Sequence, residues 1–414
     1  MKILWVKAGK LLPVDTGGKI RSYNILRRLH HRHDVTLLSY YGGAHDASYE
    51  IEIDNHLPGA VAVHTRALDT NSITKCMDYL RCLPSPAPYA VTKFTSSRGQ
   101  NKIKMLLAEG RFDVAVCDFL SASLNFPSVS KTPTVLFQHN VESALWDRQK
   151  EHEPNPGKRI AYRLEAAKMG RYERAAVQRF DHVIAVSESD REIMTAMTEA
   201  SRISVVPTGV DVARFKAAAG QNATKPLVVF LGSMDWEPNI DAVEYFCRES
   251  WPAVRESVPA ARFRIVGRNP HPRVKRLASE FIEVTGTVSS VIEHLSEAAV
   301  VVVPLRVGGG TRLKIFEAMA MGKAVVSTSI GAEGLDVNDG RDILLADTAG
   351  SFANSVVALL NDREMRQRIE YGAAELAAQY DWSVIGKRFE EVLARVAMSS
   401  ESGCVGSVAA TVSA

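Results

Sequence analysis

A strand-sized apolar run followed by a helix-sized amphipathic run recurs along nearly the whole 414-residue sequence, and that alternation admits few folds. In the first half the apolar runs are Lys2–Val6, Asp34–Ser39, Ala60–His64, Asp113–Cys117, Thr134–Gln138, His182–Ala185 and Ile203–Val206. Helical periodicity fills the intervals, as over Ile20–His31, Asn101–Glu109, Ile160–Phe180 and Glu188–Met197. The second half repeats the pattern with runs at Leu227–Leu231, Phe263–Val266, Ile282–Val284, Val300–Val303 and Ala324–Ser327. Its helices are expected at Ile240–Ser257, Pro272–Glu280, Ser290–Glu297, Leu313–Met321, Phe352–Leu360 and Arg363–Tyr380. Strands that are apolar throughout and separated by single helices predict parallel sheets covered on both faces. Between the halves, Pro207–Lys225 replaces periodic structure with Pro, Thr, Gly, Ala and Asn. The expected fold is α/β: two Rossmann-like doubly wound domains facing a central cleft, with the carboxyl ends of both sheets around it. The boundaries are read as a first domain over 1–207, a linker over 208–225, a second domain over 226–380, a helix over 381–397 and a small-residue tail over 398–414, expected to be disordered.

Charge and cysteine usage narrow the function classes. Basic and acidic residues number 50 and 47, a net charge of +3, which argues against nucleic acid as a partner. The excess sits in the first 205 residues, with 28 basic against 22 acidic side chains. Nine of those cations fall within Arg148–Arg179, at 148, 150, 158, 159, 163, 168, 171, 174 and 179. That segment reads either as a solvated helix face or as a surface drawn to anionic lipid headgroups. Cysteines at 76, 82, 117, 247 and 404 show no metal-ligand spacing and are read as reduced thiols of a cytoplasmic protein. The opening apolar run, Ile3–Val6, is too short for a secretory leader, and no run reaches the 18 residues of a membrane span. Membrane contact is therefore expected only as a peripheral association at the inner face.

Three constellations could carry chemistry. In Pro13–Lys19, Gly17 and Gly18 allow close approach of a ligand at a helix start, where the dipole favours anions, though the spacing is not that of a dinucleotide fingerprint. A plain turn explains the same residues about as well. His139, followed by Asn140, ends the Thr134–Gln138 run and is a candidate catalytic group. The most informative segment is Pro304–Gly322. There a strand runs into Gly308, Gly309 and Gly310, then Thr311, a residue type that caps helices. Arg312 and Lys314 occupy the first turn, which disfavours cations unless an anion binds. Glu317 lies in an otherwise apolar helix, so its carboxylate needs a partner. That partner is either Lys314, one turn earlier, or a pair of ribose hydroxyls. Together these residues point to a nucleoside-diphosphate site.

The segment PLRVGGGTRLKIFEAMAMGKAVVST resembles the nucleotide-binding segment of retaining glycosyltransferases of the GT-B fold, in particular the group 1, family 4-like enzymes. The Val-Asp-Thr-Gly-Gly loop, the strand end at His139, Val183–Asp190, Val205–Asp211, Val229–Ser233 and Ile265–Gly267 carry the likeness over most of the chain. The resemblance implies a nucleotide-diphosphate sugar bound by the second domain and a saccharide or lipid-linked acceptor bound by the first. It implies that the last helix crosses back to the first domain. It also implies that His139 lies by the transferred sugar and that Glu317 holds the ribose, both as catalytic residues. Gly17, Gly18, Gly232, Gly309, Gly310, Thr311, Arg312 and Lys314 complete the implied donor site. Transfer would proceed with retention, giving an α-linkage, without a cofactor and without a required metal. Two departures stand out: Gly309 occupies the place of an earlier carboxylate, and the Arg and Lys usual after the turn at Gly232 are absent. The same architecture also serves nucleotide-sugar epimerases, and the Gly309 departure fits an inactive nucleotide-sugar-binding subunit. Both stay open as alternatives.

Overall fold

The computed structural model describes residues 1–65, 72–152, 155–217, 225–307 and 313–408. The chain divides into two compact units, Met1–Pro207 together with the residues from Ile385 onward, and Thr208–Val384. In the first unit, β1 (Lys2–Ala8), β2 (Asp34–Tyr41), β3 (Val61–His64), β4 (Val114–Asp118), β5 (Thr134–Phe137), β6 (His182–Ala185) and β7 (Ile203–Val205) form one sheet in the order β3-β2-β1-β4-β5-β6-β7. In the second, β8 (Leu227–Leu231), β9 (Arg262–Val266), β10 (Ile282–Gly286), β11 (Val300–Val303), β12 (Ala324–Ser327) and β13 (Leu344–Leu345) are ordered β10-β9-β8-β11-β12-β13. Every ladder between these strands is parallel.

The apolar runs become strands because both faces of each sheet are covered. Ile3, Leu4, Trp5 and Val6 of β1 are all 0% exposed. Strand order reverses between β1 and β4 and again between β8 and β11. Loops leaving the carboxyl ends of those pairs diverge, and ligands of doubly wound sheets bind in the resulting crevices.

Four segments differ from expectation. The helix expected over Ile240–Ser257 starts at Glu237 and widens into a π-turn at Phe246–Ser250, just before Trp251-Pro252. Pro252 has no N–H to donate, and a wider turn accommodates the missing bond. The helix expected over Pro272–Glu280 stops at Lys275. Residues 208–217 belong to the second unit instead of a linker: Val210 pairs with Asp381, Phe215 is buried, and Val212–Ala217 is helical. Gly209 is required there, since a Cβ would lie 2.5 Å from the Trp382 ring. The last helix, Trp382–Val408, runs past Met398 into the tail expected to be disordered, because an already nucleated helix extends at little cost per residue. Its Phe389 packs on Trp5 and Phe137 of the first unit, at 5.5 and 5.0 Å between ring centroids. Among the described residues no helix is long and apolar enough to cross a membrane.

Candidate active site

In the first unit the chemistry gathers where β1, β4 and β5 end. His139 follows β5 and is 5% exposed, with Nε2 2.8 Å from Oδ1 of Asp118, the last residue of β4. The other carboxylate oxygen, Oδ2, accepts from Trp5 Nε1 at 3.0 Å and from Lys7 Nζ at 2.9 Å. Lys7 also donates to Ser22, whose hydroxyl donates to the Gly18 carbonyl. Burial opposes the charge on Asp118, but Lys7 and His139 outweigh it and hold the carboxyl well below the usual range. Burial pushes the His139 imidazole down to about 4, against the pull of Asp118, so the ring is neutral at physiological pH. A proton on Nε2, facing the carboxylate, would leave Nδ1 as the acceptor. Nδ1 lies 3.1 Å from where a Cβ on residue 18 would sit, so a side chain there would crowd the ring. Phe119, with φ of +77°, and Phe137 flank the ring. Buried Arg21 donates to the His139 carbonyl at 3.3 Å. The structure thus brings Gly18 and His139 together, leaves Gly17 exposed at the helix start, and adds Asp118, Lys7 and Arg21, which the sequence reading missed.

Three residues beyond His139, a carboxylate pair holds the start of the helix Glu142–His152. Glu173, fully buried, accepts from Gln138 Nε2 and from the backbone N–H groups of Glu142 and Ser143 at 3.0, 2.8 and 2.9 Å. Burial, then the Glu173 charge, pushes half-buried Glu142 up to about 7, against Asn140 and Lys93. An unfolded glutamate ionises near 4.5. The native state therefore keeps a proton that the unfolded chain loses. The resulting stabilisation is complete below pH 4.5 and is lost as pH rises through about 7. Glu142→Gln keeps the shape without the charge. It is expected to stabilise the protein by about 1–2 kcal/mol at pH 8 and to be neutral at pH 4.5 or below, read as Tm against pH.

In the second unit the crevice between β8 and β11 holds Gly232, Asn239 and Lys314. Lys314 Nζ donates to Asn239 Oδ1 at 2.9 Å and stands over the Phe230 ring at 4.3 Å. Asn239 is 3% exposed and donates to the Ser233 carbonyl. A Cβ on Gly232 would fall 2.6 Å from Asn239 Nδ2 and 2.9 Å from Lys314 Nζ, so a larger residue would push both side chains aside. Lys314 is thus turned toward Gly232. Burial pushes the half-buried Glu317 carboxyl up, with Lys314 and Arg214 acting at longer range to lower it. Arg306 is committed elsewhere, to Asp241, and lies over the Tyr245 ring. Gly309, Gly310, Thr311 and Arg312 lie outside the described residues. The basic segment divides: Lys168 is buried against the Leu83 carbonyl and Arg174 holds the Ala196 carbonyl. Lys158, Arg163 and Arg171 remain exposed on the helix Pro156–Arg179, beside Ile160 and Leu164 at 69% and 43% exposure.

Two parallel-sheet α/β units, each with polar groups gathered at a strand-order reversal, define the architecture of GT-B glycosyltransferases. HepE of Anabaena, solved in complex with UDP, superimposes with a TM-score of 0.68 at 15% identity, over 95% of this chain and 100% of that one. The family model described as Glycosyltransferase Family 4 matches residues 16–214, and that described as Glycosyl transferases group 1 matches residues 225–362. The chain belongs to the group 1, family 4-like glycosyltransferases. A phosphatidyl-myo-inositol mannosyltransferase of Mycobacterium leprae is 28% identical over 212 residues, 49% of this chain and 56% of that protein. An N,N'-diacetylbacillosaminyl-diphospho-undecaprenol alpha-1,3-N-acetylgalactosaminyltransferase of Campylobacter jejuni is 26% identical over 178 residues, 42% of this chain and 45% of that protein. The chain spans about half the length of these curated relatives.

Proposed function

We propose that this protein transfers a hexose-type sugar from a nucleotide-diphosphate sugar to a saccharide or lipid-linked acceptor, with retention and an α-linkage. The observation that carries the reading is the Gly232–Asn239–Lys314 cluster, a cation held over a glycine turn at the reversal point of the second sheet, with Glu317 one turn along the same helix. In this reading Lys314 meets the diphosphate and Glu317 the ribose. The neutral imidazole of His139, oriented by Asp118, serves the sugar in transfer and its departing phosphate. The leaving phosphate assists attack from the same face, so neither a metal nor another cofactor is needed. The relatives named as mannosyl- and N-acetylgalactosaminyltransferases support transfer over epimerisation. Their phosphatidylinositol and undecaprenol-linked acceptors support a lipid-linked acceptor, for which the exposed Lys158, Ile160, Arg163, Leu164 and Arg171 form a surface suited to an anionic membrane. The test incubates UDP-, GDP- and ADP-sugars with acceptors in anionic vesicles, with and without EDTA. The expected result is nucleoside diphosphate released in step with a glycosylated, α-linked product, undiminished by EDTA. An isomerised sugar nucleotide without acceptor would establish an epimerase, and donor binding without turnover an inactive subunit.

A further inference from the structure

The cations that this family usually carries after the turn at Gly232 are absent, but an arginine of the neighbouring loop lies against that turn. β9 ends in Val266, and the next residue, Gly267, abuts the turn so closely that a Cβ there would stand 1.6 Å from the Gly232 carbonyl oxygen. The loops after β8 and β9 are laced together: Gly232 N–H donates to the Val266 carbonyl, and Met234 N–H to the Arg268 carbonyl, both at 3.0 Å. Arg268 follows directly and folds back, donating from Nε to Ser233 Oγ at 3.1 Å. Asn269 takes the left-handed turn, with φ of +50°, a conformation Asn tolerates.

Arg268 differs in its partners from the carboxylate-bound arginines of its unit. Arg264 is held by Glu283 and Glu297, Arg273 by Glu237 and Glu244, and Arg306 by Asp241. Among the described residues no carboxylate meets Arg268, and its Nη1 and Nη2 groups have no acceptor. The side chain is exposed, yet Ser233 fixes its inner edge. Its outer edge presents paired N–H donors, the geometry that suits a phosphate. The carboxylate of the same loop, Asp235, is engaged by the Asn269 amide at 3.1 Å. The helix Glu237–Tyr245 also begins at this turn without a side-chain cap, adding backbone dipole of the sign an anion requires.

We infer that Arg268, docked on Ser233, is a donor-binding residue that grips the diphosphate of the nucleotide sugar beside the Gly232 turn. This rests on the donor site proposed above. Calorimetric titration of the full chain with UDP, GDP and ADP, and with uridine, guanosine and adenosine, tests both. Arg268→Ala is expected to weaken binding of whichever diphosphate the parent protein binds by about tenfold, to leave its nucleoside unchanged, and to flatten the salt dependence of diphosphate affinity. Arg248→Ala, an equal loss of charge on an exposed helix, is expected to change neither. Unaltered diphosphate affinity in Arg268→Ala, or an equal loss for diphosphate and nucleoside, would overturn the assignment. A parent protein that binds none of the three diphosphates would overturn the donor site itself.

Discussion

Replacing His139 with alanine is expected to slow turnover by about 100-fold or more, the scale of one lost transition-state group, while the protein stays folded. What is removed is a neutral ring, since burial holds the imidazole at about 4. The mutant therefore loses packing on Phe119 and Phe137 without stranding a cation in the core. Asp118 keeps its bonds from Trp5 and Lys7, so the centre of the sheet retains its charge balance. The loss should appear chiefly in kcat, because the groups proposed to hold the nucleotide, Lys314, Glu317 and Arg268, belong to the second unit. The pH profile of the parent protein adds a second check. A histidine that stays neutral down to about 4 cannot produce an acid limb near 6.5, the ordinary value for the side chain. Near-normal turnover in the mutant would make His139 a structural residue.

The sheets were legible in the sequence because strands buried on both faces must be apolar throughout, and each predicted run is a strand with ends moved by at most two residues. The pair Leu344–Leu345 escaped because two residues carry no periodicity. The candidate sites were legible only in part. His139, Gly18, Gly232 and Lys314 stood out because glycines and polar groups at strand ends and helix starts break an apolar pattern. Asp118 did not, although a signal existed. Lys7 follows four buried apolar residues in β1, and a lysine there needs a counter-charge. The register of β1 and β4 supplies it, with Lys7 directly opposite Asp118. Register is a long-range property that periodicity along one strand does not reveal. Asn239 and Arg268 were hidden for a related reason. Asn239 sits on the helix that follows the Gly232 turn and Arg268 on the loop after β9, and the close contacts that matter lie 7 and 35 residues away in sequence.

The same long-range packing decides what Lys314 does. On the sequence alone it could be the helix partner of Glu317; in the structure its ammonium is turned onto Asn239 and Phe230, against the Gly232 turn. An amide oxygen and an aromatic face hold the ammonium toward the Gly232 turn. Lys314→Ala is therefore expected to weaken nucleoside-diphosphate binding by about 1.5–3 kcal/mol, the range for hydrogen bonds to charged groups, and to leave the bare nucleoside unaffected. Glu317 has no hydrogen-bond donor within reach among the described residues, and burial raises its carboxyl. A carboxylate kept in such surroundings is costly unless a ligand supplies the donors, which ribose hydroxyls would do. Glu317→Gln should thus weaken diphosphate and nucleoside alike, because both contain the ribose. Calorimetry of the two variants against both ligands separates the roles. If Lys314→Ala leaves diphosphate affinity intact and lowers only Tm, the lysine is a strut for the Gly232 turn, and the phosphate charge must be met by other groups of the second unit.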